Sequence, residues 1–223
     1  MNALAVALRL KGYAHVPNAL PGAELLADVI LPGGAVGGSR CLLDQPWCVE
    51  LAQALRAHAL IGPLLPCDAV AVQCTYFEKS SSRNWLVPVH QDLSIPVAAR
   101  VVARGWRGWS TKEGSLFGQP PVEVLESMVA LRVHLDPCGV EDGALRFVPG
   151  SHCLGVIDAA AAVRERDRVG EQIGTASPGD VIAMKPLVLH ASSKSRGFSR
   201  RRVLHFLFGP SQLPDGAAWA RRI

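Results

Sequence analysis

A chain of 223 residues, 49% hydrophobic and 19% charged, has the balance of a packed globular protein and excludes the disordered and fibrous classes. The length exceeds that of a usual domain but falls within what β sandwiches and barrels reach as one unit, so a single domain over residues 1–223 is expected. The net charge of +4 has its densest basic cluster at Arg200, Arg201 and Arg202, too local for a nucleic-acid face, and no apolar run reaches the roughly 18 residues of a membrane span.

Leucines and valines at helical spacing predict a first helix over 2–11, stopped by Gly12, and a short strand over 13–16 that runs into Pro17. This opening stretch has no basic start and no clear cleavage site, so it reads as a helix of the domain rather than a leader. A second helix is expected over 21–30. The glycine-rich run 33–38 is not followed by the lysine and hydroxyl residue of a phosphate loop, and reads as a surface connection. Residues 46–61 return to helical periodicity, with Val49, Leu51, Ala52, Leu55 and Ala59 on one face.

After that the texture changes to short runs rich in Val, Leu, Ile and Phe at 69–77, 127–135, 143–148, 180–184 and 202–208, separated by Pro, Gly, Asp and Ser. These are expected strands. Helices first and spaced strands later suggest an α+β domain whose core is a sandwich or barrel, braced on one face by the N-terminal helices. Residues 101–121 interrupt the strands with Trp106 and Trp109, and read either as a substrate loop or as a loop packed by its own aromatics. The six cysteines form no CxxC pair, so reduced thiols and a cytoplasmic setting are expected.

The string Val87-Pro88-Val89-His90-Gln91-Asp92 carries the first chemistry. In an extended strand, residues two apart share a face, so His90 and Asp92 are expected to point together into a barrel interior. A turn at Pro178-Gly179-Asp180, an apolar strand and a second apolar run closed by His190 supply a candidate third ligand. Two histidines and one carboxylate on one side of a metal form the facial triad of non-haem Fe(II) oxygenases; structural zinc would want four closed ligands, and calcium or magnesium would want oxygens. An arginine on the strand after His190 can hold a carboxylate through its planar fork, which suits the far end of 2-oxoglutarate, and Ser192 can add a hydrogen bond.

At these residues the sequence resembles the phytanoyl-CoA dioxygenase family of 2-oxoglutarate-dependent oxygenases, in its bacterial branch. The resemblance runs over about residues 12–210 and rests on the 84–92 strand, the segment from Gly143 to Pro149-Gly150-Ser151-His152, the turn leading to His190, and the Arg201-Arg202-Val203-Leu204-His205 strand. It implies a mainly β fold, a double-stranded β-helix or cupin-like jelly roll with the N-terminal helices packed on the larger sheet. It also implies Fe(II) on His90, Asp92 and His190, with 2-oxoglutarate and O2 as cosubstrates and a small organic molecule as substrate. The family's spacing after the last ligand points to Arg201 as the 2-oxoglutarate arginine; Arg200 or Arg202 would be reached by a slip of one residue, and neither can share Arg201's face. Lys79 matches a position where relatives carry a cosubstrate-contacting lysine, and Gln73 lies on the same strand.

Val89 stands where many relatives have tryptophan and is expected to reshape the mouth of the site. His134, His152 and His205 are expected to be hydrogen-bonded structural or pocket-lining residues. Trp85, Trp106, Trp109 and Phe117 are candidates for an apolar pocket wall. Retention of the carboxylate ligand favours hydroxylation over halogenation. The competing readings are a cupin-like metal enzyme that does without 2-oxoglutarate and a non-catalytic jelly-roll binding module.

Overall fold

The structure, a computed structural model, describes residues 2–30, 38–80, 83–196 and 200–223. Its strands are β1 (Tyr13–Val16), β2 (Gly38–Ser39), β3 (Val70–Lys79), β4 (Val87–His90), β5 (Ile95–Pro96), β6 (Arg107–Lys112) and β7 (Ser115–Gln119) in the first half of the chain. The second half adds β8 (Val129–His134), β9 (Leu145–Phe147), β10 (Gln172–Gly174), β11 (Val181–Met184), β12 (His190–Ser192) and β13 (Arg201–Gly209). The helices are α1 (Ala3–Lys11), α2 (Ala23–Ile30), α3 (Pro46–Ala57), α4 (Val122–Ser127) and α5 (Ala159–Val169).

The larger sheet has the order β1-β11-β8-β13-β3-β2, the smaller β10-β9-β12-β4, and the third β5-β7-β6. Every pairing between these strands is antiparallel. The larger sheet is buried on both faces, and strand alternation sorts its side chains. Val181, Ala183, Leu131, Val133, Leu204 and Phe206 pack with Leu8 of α1 and Cys48, Leu51 and Leu55 of α3. Their neighbours Ile182, Met184, Ala130, Val72 and Leu207 face the other way, into a core shared with Leu145 and Phe147 of the smaller sheet. The result is a jelly roll with α1 and α3 on the outside of its larger sheet, as the resemblance implies.

Local chemistry accounts for the expected elements. Asn2 caps α1 by accepting from the Ala5 N–H at 2.8 Å, and Gly12 ends it in the left-handed region at φ 83°. Helix α3 stops at Ala57, four residues before the expected end, because the chain turns into an extended His58. The glycine-rich run falls almost wholly outside the described residues. Two helices escaped the sequence reading. Helix α5 is polar and buries only Ala162, but Asp158 followed by four alanines was its signal: the carboxylate accepts from the Ala161 N–H at 2.7 Å. Helix α4 is a short turn of helix after two prolines.

Residues 101–121 resolve into structure. Strands β6 and β7 form a hairpin turning at Glu113 (φ 50°) and Gly114 (φ 78°), as a two-residue loop of this hand requires. Trp106 and Trp109 stack with ring centroids 5.9 Å apart, and the Trp106 indole N–H donates to Asp215 Oδ2 at 3.0 Å. The aromatics therefore pack the hairpin itself. All six cysteines are free, and no described helix is long and apolar enough to cross a membrane.

Candidate metal centre

The pairing of β12 with β4 sets His190 directly opposite His90, with ring centroids 4.3 Å apart. Each imidazole commits Nδ1 to a backbone carbonyl two residues back: His90 to Pro88 O at 2.9 Å and His190 to Val188 O at 3.0 Å. A carbonyl only accepts, so Nδ1 carries the proton in both rings and the Nε2 lone pairs are left for a metal.

Asp92 differs from the expectation. Strand β4 ends at His90, so Asp92 does not share its face through strand alternation; it reaches the site from the loop beyond. That loop is tied down on either side of its turn. The Asp92 N–H donates to Pro186 O at 2.9 Å. Gln91, buried between the two ligands, donates from Nε2 to Gly155 O and Leu187 O, both at 2.8 Å, and accepts from the Ile157 N–H at 3.0 Å. Gln91 had no motif to mark it in the sequence; its importance lies in contacts with residues about 65 and 96 positions away.

The carboxylate then lies 3.6 Å from His90 Nε2 and 3.7 Å from His190 Nε2, and one ligand atom from each of the three residues falls within 4.8 Å of the others. Burial works against the Asp92 anion, but His190, His90 and His205 outweigh it and hold the carboxyl well below its usual range. Burial drives His190 down to about 4, so its imidazole is neutral at physiological pH. Burial works against a charged His90, but Asp92 outweighs it and raises that imidazole. Two imidazoles that turn Nε2 inward and an ionised carboxylate, the one such cluster among the described residues, are the donor set of a ferrous facial triad.

The triad opens on a cavity of about 450 Å³ between the two sheets. At one end, Arg201 on β13 sits opposite Lys79 on β3. Lys79 is 1% exposed and Arg201 3%, and neither meets a carboxylate among the described residues. Lys79 Nζ donates to Ser192 Oγ at 2.7 Å and Ser193 O at 2.6 Å, and Ser192 Oγ donates in turn to Gly143 O at 2.7 Å. Arg201 also donates to Gly143 O, while its Nε is buried with no partner. Burial, and then Arg201, lower the Lys79 ammonium to about 8. A buried cationic end with an unused donor is built for an anion that supplies the missing charge.

Strand alternation separates the three arginines. Arg200 pairs with Glu78 (Nε to Oε1, 3.1 Å), and Arg202 pairs with Asp136 through Nε at 2.8 Å and Nη2 at 2.7 Å. Only Arg201 of the three lines the cavity. Ser192 is engaged between Lys79 and Gly143, and so orients the lysine. Gln73 lines the cavity and donates to Thr75 Oγ1 at 2.7 Å.

Other expectations are corrected. Val89 points away from the cavity and packs with Val148, Ala162 and Leu189 on the outer face of the smaller sheet, so it does not shape the mouth. Of the four aromatics, Trp85 and Phe117 line the cavity; Trp106 and Trp109 do not. The hairpin reaches the cavity through Lys112, Phe117 and Gln119. His134 is buried with neither ring nitrogen hydrogen-bonded, and burial followed by the charges of Arg132 and Arg201 lowers it to about 3, so it is neutral. His152 Nε2 bonds Arg9 O at 3.1 Å, tying the turn after β9 to α1. His205 lines the cavity, its Nε2 3.9 Å from Asp92 Oδ2.

Comparisons with known proteins bear on the family and the fold. The family model described as phytanoyl-CoA dioxygenase (PhyH) matches residues 39–203. A curated relative, Dioxygenase cnsJ of Penicillium expansum, is 38% identical over 84 residues; the match spans 37% of this chain and 24% of that protein. Among solved structures, SnoN, a non-heme alpha ketoglutarate dependent epimerase from nogalamycin biosynthesis, is similar with a TM-score of 0.68 at 18% identity, over 97% of this chain and 84% of its own. HygX from Streptomyces hygroscopicus, solved with nickel and 2-oxoglutarate, gives 0.65 at 14% identity over 96% and 88%. EctD from S. alaskensis gives 0.66 at 17% identity over 96% and 79%.

Proposed function

The chain belongs to the phytanoyl-CoA dioxygenase family, and from that premise we propose that it is a non-haem Fe(II)- and 2-oxoglutarate-dependent dioxygenase that hydroxylates a small organic substrate. The observation that carries this reading is the juxtaposition of the His90, Asp92 and His190 donor set with a buried cationic end in one cavity. The reading takes residues 1–223 as one catalytic domain.

When bound, the iron with 2-oxoglutarate and O2 supplies the oxidising power, with succinate and CO2 as coproducts. The protein's own share is positional. The carbonyls of Pro88 and Val188 fix the tautomer and aim of the two imidazoles, and the Gln91 contacts set the bend that presents Asp92. Arg201 Nε and the Lys79 ammonium are the donors for the far carboxylate of 2-oxoglutarate, and the Gly143 carbonyl orients the guanidinium from behind. Gln73 lies on the cavity wall as a further polar contact. A metal enzyme working without 2-oxoglutarate leaves Lys79 and Arg201 buried without an anion, which disfavours that alternative.

The test is iron binding and turnover together. Protein loaded anaerobically with Fe(II) is expected to develop a weak visible band on adding 2-oxoglutarate, and in air to form succinate. Asp92→Ala and His190→Ala are each expected to lose both signals while remaining folded by circular dichroism. Full iron-dependent succinate formation in either variant refutes the assignment.

A further inference from the structure

The cavity holds more positive charge than the proposed iron and 2-oxoglutarate need, and the surplus lies farther along the larger sheet from Lys79, beyond β13, and on the hairpin wall. Arg132 stands on β8, in the middle of the larger sheet, opposite His205 rather than opposite Arg201 in the register with β13. It lines the cavity, is 6% exposed, and has no carboxylate partner among the described residues. Its Nε is buried without any hydrogen bond. Burial and the nearby Arg201 lower its guanidinium to about 10, which leaves it charged.

Arg132 Nη1 donates to His205 Nδ1 at 3.4 Å. A guanidinium only donates, so His205 Nδ1 must accept and Nε2 carries the proton. That N–H faces the metal side of the cavity, 3.9 Å from Asp92 Oδ2. The third surplus group is Lys112, at the end of β6 in the hairpin wall. It stacks over Phe117 at 4.8 Å and has no acidic partner among the described residues, whereas its neighbour Arg40 is neutralised by Glu113 at 2.8 Å.

Pairing these charges leaves a gap. Asp92 and the chelating carboxylate of 2-oxoglutarate match the ferrous ion, and the far carboxylate falls between Lys79 and Arg201. Nothing remains for Arg132 or Lys112. A guanidinium this buried, with only the Phe77 ring at 5.7 Å and the His205 imidazole beside it, is suited to take an anionic ligand.

Resting on the dioxygenase reading above, we infer that the primary substrate is an organic acid, whose carboxylate is held by Arg132 on the cavity wall after attraction by Lys112 at the hairpin. Arg132 is thereby a specificity-determining residue. The aliphatic and aromatic remainder of the wall, Phe117, Ile95, Leu125 and Leu207, suits an apolar body behind the acid group.

The experiment uses the Fe(II)- and 2-oxoglutarate-saturated protein under anaerobic conditions, so that the Lys79 end is already filled. The visible band is followed while hexanoate, octanoate and decanoate, and separately their primary amides, are titrated in. The acids are expected to perturb the band at concentrations about tenfold or more below the amides. Arg132→Met should erase that preference with 2-oxoglutarate affinity held within about twofold. Arg132→Lys should retain part of it, and Lys112→Met, on the exposed hairpin, should weaken acid binding several-fold without threatening the fold. The inference is overturned if acids and amides act alike or not at all on the native protein, or if the preference survives in Arg132→Met. It is equally overturned if Arg132→Met weakens 2-oxoglutarate itself by tenfold, since Arg132 then serves the cosubstrate. Absence of any 2-oxoglutarate band in the native protein is a different failure, that of the dioxygenase reading.

Discussion

Replacing Arg201 by methionine isolates the proposed cosubstrate clamp. Methionine fills similar space on β13 and removes the guanidinium, one donor of which is spent on Gly143 O and another of which, Nε, is buried without a partner. A carboxylate seated there would gain two hydrogen bonds to a cation, each worth about 1.5–3 kcal/mol. Lys79 remains and offsets part of the loss, so a net cost of about 3 kcal/mol, on the order of a hundredfold in affinity, is expected. The assay is anaerobic titration of 2-oxoglutarate into Fe(II)-loaded protein, with Arg200→Met as the control, because Arg200 is bound to Glu78 outside the cavity. Unchanged 2-oxoglutarate affinity in Arg201→Met, or an equal loss in Arg200→Met, refutes the assignment of the clamp.

Gly143→Ala should act on the same end from behind. At φ 69° an added Cβ would lie 2.6 Å from Ser193 O, the acceptor of Lys79, so a destabilisation of about 1–3 kcal/mol and weaker 2-oxoglutarate binding are expected in thermal melts and the same titration. Gln91→Ala should weaken Fe(II) binding by about tenfold or more with the triad itself intact, since it frees the loop that presents Asp92; competition with a chromophoric chelator reads this directly. Asp180 is a stability probe far from the chemistry. Burial raises its pKa, but the Asn18 and Ser177 N–H groups and His15 outweigh that and lower it overall. Its contribution is therefore present above the unfolded carboxylate pKa and lost as pH falls through the lower folded value. Asp180→Asn should cost about 1–2 kcal/mol in urea unfolding at neutral pH, with the difference shrinking to zero in acid.

Much of the fold could be read from the chain because burial leaves a periodic trace. The alternation along β11, with Val181 and Ala183 toward the helices and Ile182 and Met184 toward the smaller sheet, makes an unbroken apolar run that announces a strand buried on both faces. Helix α5 left little trace, since it buries only Ala162. The hairpin of β6 and β7 was hidden because its strands are half-exposed and polar, and its turn residues Glu113 and Gly114 carry no strong hairpin signature.

The candidate metal ligands were also in the sequence. His90, Asp92 and His190 are marked by residue type and by the turn and strands around them, and alternation along β13 already required that only one face of Arg200, Arg201 and Arg202 look inward. Which face looks inward depends on what the strand pairs with, and only the tertiary structure decided that. It set Arg201 against Lys79 and sent its neighbours to Glu78 and Asp136. It likewise turned Val89 outward, carried Asp92 beyond the strand on a loop held by Gln91, and brought Arg132 and Lys112 to the cavity without an acid to meet them. Local sequence governs periodicity and caps over a few residues; charge balance in a cavity is a sum over strands far apart in the chain, and it exists only once they have paired.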